Sequence, residues 1–81
     1  MNIEKQLKIT KEILKDRESD LIIYRDLSAD ATNRFIGKEL EDSLARYESI
    51  KLELLVEIEA LNFFIFGLEN KIQQGKEHDN D

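Results

Sequence analysis

The chain has 81 residues, a formal net charge of −6 and 37% charged residues, with neither cysteine nor proline. A chain of this length forms one small domain at most and buries too little surface to have stability to spare. The absence of cysteine excludes a disulfide framework and a cysteine-based metal site, and a single histidine excludes a multi-histidine site within one chain. The acidic balance argues against direct nucleic-acid binding, which depends on clustered lysine and arginine.

The apolar segments predict no membrane association. Charges occur among the apolar residues from Glu4 onward, so the amino-terminal segment resembles neither a signal peptide nor an anchor. The longest uncharged run, residues 60–68, is much shorter than the ~20 residues that span a bilayer. Abundant Leu, Ile, Glu and Lys without proline are typical of long helices, so we expect a cytoplasmic, all-α protein.

The first predicted element is a helix over residues 3–27, which Asn2 can cap at its start. Its apolar residues recur at the spacing of three and four that is typical of one helix packing on another. In heptad terms, the a positions hold Leu7, Leu14 and Leu21, and the d positions hold Ile3, Thr10, Arg17 and Tyr24. Because Thr10 and Arg17 interrupt this seam of a and d residues, the first helix has the weaker packing surface.

Residues 28–33, SADATN, are small and polar and predict a loop between two helices. Asp30 or Thr32 can then cap a second helix, which the apolar spacing extends over residues 34–74. Gly75 is typical of a residue that ends a helix. The first 75 residues are thus predicted to form a single helical hairpin domain, and residues 76–81 a disordered polar tail.

The second predicted helix is longer and has the stronger seam. Its a positions begin at residue 37 and its d positions at residue 40, and only Gly37 and Lys51 among them are not apolar. The apolar members are Leu40, Leu44, Tyr47, Leu54, Ile58, Leu61, Ile65, Leu68 and Ile72. An antiparallel helical hairpin, with coiled-coil packing between its two helices, is therefore the predicted fold.

The predicted loop implies a register for this hairpin. Folding at residues 28–33 places Thr10 opposite Lys51, so that two polar interruptions meet, and Tyr24 opposite Gly37, where glycine leaves room for the ring. A register shifted by one heptad also matches a with d positions, but lengthens the connection from six residues to about thirteen. These four residues are the predicted determinants of register.

Lys51 at a seam position has two interpretations. Its methylene stem can lie in the core while the ammonium group reaches solvent. Alternatively, a polar layer at this position determines register and oligomeric state at some cost in stability.

The unequal helix lengths predict that part of the second helix lacks an intramolecular partner. At 1.5 Å per residue the helices measure about 37 and 61 Å, so about 24 Å of the second helix, residues 59–74, extends beyond the first. The predicted interaction residues in this overhang are Leu61, Phe63, Phe64, Ile65, Phe66, Leu68 and Ile72. Leaving such a surface in water forfeits several kcal/mol, at about 25 cal/mol per Å². We therefore expect another helix to cover it.

A second copy of the chain is the predicted partner. The seam residues beyond Ile58 are self-complementary in antiparallel orientation, with a crossing near Gly67. Further apolar residues off the seam favour a four-helix bundle made of two hairpins. They are Ile9, Ile13, Ile23, Leu27, Leu52, Leu55, Val56, Phe63 and Phe66. In the alternative, Asn62 or Gly67 breaks the second helix and its last segment folds back on the hairpin.

No catalytic or cofactor-binding pattern is present. The serines have no neighbouring base, and no glycine-rich phosphate loop occurs. The chain is therefore predicted to be non-enzymatic, with no catalytic residue, cofactor, metal or small-molecule substrate.

Two functions remain as hypotheses. The first is a helical interaction module, an adaptor, inhibitor or small assembly factor that self-associates through the second helix, with a heterologous protein as another candidate partner. The second is an acidic regulator that occupies the basic surface of a nucleic-acid-binding protein. Its carboxylates would be Glu39, Glu41, Asp42, Glu48, Glu53, Glu57 and Glu59. Docking on a membrane surface is disfavoured, because glutamates rather than lysines flank the apolar block.

Overall fold

A computed structural model describes residues 2–79 of the chain, with side chains described through Gly75. The described residues form two helices, α1 (Ile3–Arg34) and α2 (Gly37–Asp79), and no strand. The helices pack side by side in an elongated hairpin measuring 66 × 17 × 15 Å. The predicted all-α class and helical hairpin are therefore confirmed.

Asn2 caps the start of α1 as predicted. Its backbone is extended, and its side-chain Oδ1 accepts a hydrogen bond of 2.7 Å from the backbone N–H of Lys5. This bond satisfies one of the N–H groups that a helix leaves without a partner in its first turn. Glu4 places a negative charge at the same end, where the helix dipole favours it.

The predicted loop at residues 28–33 is wrong, because α1 continues through it to Arg34. The hydroxyl groups of this segment donate to carbonyl oxygens of the same helix: Ser28 to Tyr24 at 2.9 Å, and Thr32 to Ala29 at 2.7 Å. Such bonds let small polar side chains lie within a helix instead of ending it. Neither Asp30 nor Thr32 caps the second helix, since both lie inside the first.

Packing and charge also favour a longer α1. Ala31 falls on the next d position of the seam and is only 2% exposed, so the segment contributes to the core. The Asp30 carboxylate and the Arg34 guanidinium form an ion pair of 2.8 Å, one helical turn apart. Alanine is also the strongest helix former. Together these interactions outweigh the loop preference of the small polar residues.

The connection between the helices consists of Phe35 and Ile36 alone. The backbone N–H of Phe35 donates to the carbonyl of Ala31 at 2.9 Å, which closes the last turn of α1. Gly37 then begins α2 with a φ of 64°, in the left-handed region that glycine adopts without steric cost. Gly37 therefore acts in the turn between the helices, and not as a space-saving residue beneath Tyr24.

Helix α2 is continuous through Gly67, so the predicted alternative in which the chain breaks and folds back is excluded. Gly75 also lies within the helix and does not end it. The predicted disordered tail is wrong for residues 76–79, which continue α2, while residues 80–81 lie outside the described part of the chain.

The predicted heptad positions are confirmed by burial. The buried residues of α1 are Thr10, Leu21 and Ala31, and those of α2 are Leu54, Ile65 and Leu68. All of them lie on the a and d positions read from the sequence, with Ala31 extending the pattern. The hydroxyl group of Thr10 donates to the carbonyl of Gln6 at 2.7 Å, so this buried polar side chain has a partner.

The predicted register between the helices is wrong. Tyr24 stacks at a tilt on Tyr47, with ring centroids 6.1 Å apart, instead of facing Gly37. The Arg17 guanidinium lies 3.4 Å from the Glu57 carboxylate, and the Lys11 ammonium lies 3.6 Å from that of Glu69. These antiparallel contacts place α1 roughly two heptads further along α2 than predicted. The cause is the later turn, which lengthens α1 and moves the point of reversal.

Lys51 and Thr10 consequently do not meet. Glu69, which pairs with the neighbour of Thr10, lies about 27 Å along α2 from Lys51. The Lys51 side chain is half-buried, and its ammonium group lies 2.9 Å from the carboxylate of Glu48. This geometry agrees with the interpretation in which the stem lies in the core and the charge reaches the rim.

Candidate interaction surface

The predicted overhang of residues 59–74 is wrong, because α1 lies beside this part of α2. The ion pair between Lys11 and Glu69 joins the two helices near the end that was expected to be uncovered. Ile65 and Leu68 are buried, and Leu61 and Ile72 are half-buried. The seam of α2 is thus occupied by the chain's own first helix, and a dimer that pairs these four residues with a second copy is excluded.

The three phenylalanines of the predicted interaction set remain uncovered. Phe63 is 79% exposed, Phe64 54% and Phe66 63%. Phe64 and Phe66 flank the seam residue Ile65, and Phe63 lies two residues before it, so none of the three is itself a seam residue. Burying an aromatic side chain removes 150–250 Å² from water, typically among the largest single contributions to a core or an interface. Three such rings in one turn form an unusual surface for a small domain.

Apolar residues surround α2 on every side from Leu52 to Leu68. Within this stretch only Glu53, Glu57 and Glu59 are charged. A helix that is apolar all round is normally buried on all sides, whereas α1 covers only one side of α2. The uncovered residues include Val56 and Leu52, which are more than half exposed.

Two hollows lie on the uncovered side of α2. One, of about 390 Å³, is lined by Gly67 together with Phe63, Phe64, Phe66 and Lys71. The other, of about 450 Å³, lies beside Val56, between Ser49 and Glu57. Both are shallow surface features of a single helix. They can receive side chains of a second helix, because knob-like residues insert into spaces of this kind in helix packing.

A third hollow, of about 330 Å³, lies in the groove between the helices. Ile13 and Arg17 of α1 border it on one side, and Leu61 and Phe64 of α2 on the other. Glu57 and Asp20 hold the Arg17 guanidinium at 3.4 and 3.1 Å, so the arginine crosses the groove as an ion-paired side chain. Two charged side chains, Arg17 and Glu57, thus border this groove.

The carboxylates of the acidic-regulator hypothesis are all exposed, but they do not form one face. At 100° per residue, Glu41 and Glu48 lie on one side of α2, and Glu53 and Glu57 on another. Two of them are engaged within the hairpin, Glu48 with Lys51 and Glu57 with Arg17. These seven carboxylates are therefore divided between two sides of α2, an arrangement that does not favour this hypothesis.

Sequence reasoning recognised Val56 only as an off-seam apolar residue and did not single out Ala60. Val56, Ala60, Phe63 and Gly67 follow one another at intervals of four, three and four, which is itself a helix-packing pattern. This second pattern is two residues out of phase with the seam, about 200° around the helix. This pattern can be read from the sequence. The prediction that the main seam lacked a partner placed the interaction surface on the seam residues instead.

Within the described residues, no group of three His, Asp or Glu side chains is placed to hold a metal ion. Neither α1 nor the described length of α2 is apolar over enough residues to cross a membrane. Comparison of the chain with protein-family models, with curated proteins and with solved structures gave no match. The fold and its surface together define a helical hairpin with an uncovered aromatic face.

Proposed function

We propose that the chain is a non-enzymatic helical interaction module, of the kind that serves as an adaptor, inhibitor or assembly factor. It self-associates through the apolar C-terminal half of α2. The observation that carries this proposal is the exposure of Phe63, Phe64 and Phe66 on a continuous helix whose other side is already packed. The predicted overhang does not support the proposal, because α1 lies beside that part of α2. The exposed phenylalanines outside the seam support it instead.

The energy of the exposed surface supports association. The three phenylalanines together expose roughly two full rings, or on the order of 400 Å². Burying this area at about 25 cal/mol per Å² yields roughly 10 kcal/mol before the entropic costs of association are subtracted. Large exposed apolar patches on monomers commonly mark interaction sites.

Sedimentation equilibrium over a range of concentrations tests the proposal. We expect the weight-average mass to approach twice the 9.5 kDa of one chain, and the double variant Phe63→Ser, Phe66→Ser to remain near one chain. Circular dichroism should show unchanged helix content, since both side chains are exposed in the hairpin.

The matched control is Ile22→Ser with Ile23→Ser. These α1 side chains are 57% and 53% exposed and lie outside the proposed surface, so their replacement should leave the mass unchanged. A wild-type chain that stays monomeric at every concentration, with its helices intact, would contradict the proposal.

A further inference from the structure

The uncovered side of α2 carries its own packing pattern. We define the outer face as Val56, Ala60, Phe63 and Gly67, which lie on the side of α2 away from the seam. Ala60 is at the edge of this face and also borders the groove toward Arg17. Val56 is 67% exposed and Phe63 is the most exposed phenylalanine of the described chain, while Ala60 is also exposed. Bulky and small residues alternate along this face. Alternation of this kind allows two helices to interdigitate.

We propose that the outer face is the contact between two copies of this chain, whose α2 helices pack antiparallel about a two-fold axis between Ala60 and Phe63. This inference rests on the proposed function and adds to it the contact face and the orientation. In the resulting assembly the two α2 helices are innermost and each α1 covers the opposite side. The apolar α2 segment is then covered on two opposite sides instead of one.

Steric self-complementarity supports a second copy as the occupant. About this axis, Phe63 packs on Ala60 of the partner subunit, and Val56 packs on Gly67 of the partner subunit. Each bulky side chain thus meets a small one, and the same pairs recur through the symmetry of the contact. The polar residues Ser49 and Asn70 lie two turns before Val56 and one turn after Gly67, and limit the apolar contact at its two ends.

The two hollows on the uncovered side agree with this axis. The hollow at Gly67 and the hollow beside Val56 are lined by residues on opposite sides of the proposed axis. This axis places one hollow of each chain against the other hollow of its partner. The Val56 side chain then projects into the hollow that Gly67 of the partner subunit lines. This hollow has a volume of about 390 Å³.

Packing within the hairpin does not explain why the residue at Gly67 is glycine. Glycine inside a helix costs about 1 kcal/mol relative to alanine. Within the chain, an added Cβ at Gly67 would meet no atom within 4 Å, so contact with α1 does not require glycine. Close approach of a second helix on this side does require a small residue, because a side chain would hold the two backbones apart.

The exposed apolar area is also consistent with two copies. Complete burial of the exposed parts of Leu52, Val56 and the three phenylalanines, which extend beyond the outer face on both sides, would remove at most roughly 600 Å² per chain, or roughly 1,200 Å² for two chains, the lower end of specific interfaces. No charged residue belongs to the outer face itself.

The first test substitutes the outer face. Val56→Glu should weaken dimerisation about a hundredfold or more, because each copy would bury an unpaired carboxylate. Gly67→Leu should weaken it comparably, by holding the helices apart. Both positions face open space in the hairpin, so circular dichroism should show wild-type helix content. Ile22→Glu on α1 is the control that should leave the dissociation constant unchanged.

The second test measures orientation. The chain has no cysteine, so spin labels can be attached at Ser49→Cys or Gln74→Cys alone. Antiparallel packing predicts an intermolecular distance of about 37 Å between two Ser49 labels, from the 1.5 Å rise per residue. A mixture of Ser49-labelled and Gln74-labelled chains should in addition give a distance below about 20 Å.

The outcomes separate this inference from the proposed function. A wild-type dimer that persists in both Val56→Glu and Gly67→Leu overturns the outer face but leaves self-association intact. A short distance between two Ser49 labels indicates parallel helices and overturns the orientation. A monomeric wild-type chain overturns the proposed function and this inference together. Loss of the dimer in both variants, with the two expected distances, supports the inference.

Discussion

At the scale of single residues, the three glycines have different environments. An added Cβ would meet no atom within 4 Å at Gly37, Gly67 or Gly75, so intramolecular crowding explains none of them. Only Gly37 has a positive φ, of 64°, and this conformation is the reason for glycine in the turn. Gly67 and Gly75 lie in ordinary helix, where alanine is the better residue.

Replacing Gly37 should therefore destabilise the hairpin. We expect Gly37→Ala to lower the free energy of unfolding by about 1–2 kcal/mol, the cost of a left-handed conformation for an L-residue. Gly75→Ala is the matched control and should raise it by up to about 1 kcal/mol. Urea denaturation followed by circular dichroism measures both. Equal effects of the two substitutions would show that the φ of Gly37 does not restrict this position.

At the scale of the elements, the length of α1 determines which surfaces remain free. Residues 28–33 are helical because hydroxyl groups bond to carbonyls of the same helix and Ala31 packs into the core. The extra turns carry α1 alongside the whole seam of α2. A shorter α1 would leave the C-terminal part of that seam uncovered, which is the arrangement predicted from the sequence.

Substitution of Ala29 tests this correction. Ala29 is exposed and lies within the segment predicted as a loop, so Ala29→Gly should cost about 1 kcal/mol in a helix and almost nothing in a loop. Ala45→Gly in α2 is the control, because this residue is also exposed and helical. The two substitutions should shift the urea midpoint by similar amounts. A neutral Ala29→Gly beside a costly Ala45→Gly would restore the loop.

At the scale of the whole molecule, charge opposes the proposed association. Each chain has a formal net charge of −6, and two copies in contact repel each other. Ion pairs such as that between Lys11 and Glu69 are about half exposed and contribute little to the stability of the hairpin. The apolar outer face must therefore supply most of the attraction.

This balance predicts how salt affects the dimer. Raising sodium chloride from about 0.02 to 0.5 M should tighten self-association about threefold or more, because the repulsion is screened. Sedimentation equilibrium at both concentrations measures the change. The double variant Phe63→Ser, Phe66→Ser should stay monomeric at both salt concentrations. Weaker association at high salt would indicate that ion pairs, and not the apolar face, hold the two copies together.

The sequence by itself determined the two helices, the cap at Asn2 and the identity of the core positions. Thr10, Leu21, Leu54, Ile65 and Leu68 are buried because apolar spacing at three and four residues defines one side of each helix. The phenylalanines were also selected from the sequence, as part of an apolar block in the predicted overhang, although the overhang itself is wrong. These features depend on local periodicity, which one chain displays without reference to its fold.

Only the tertiary structure decided where the chain turns and which residues of α2 meet α1. Registers that differ by whole heptads match a with d positions equally well, so the seam alone does not select one of them. The choice depends on the competition between a polar segment that can form a loop and the burial gained by continuing α1. Burial of Ala31, Ile65 and Leu68 favours the longer helix. The aromatic block was therefore correctly identified as apolar, but the side of it that stays uncovered followed only from the register.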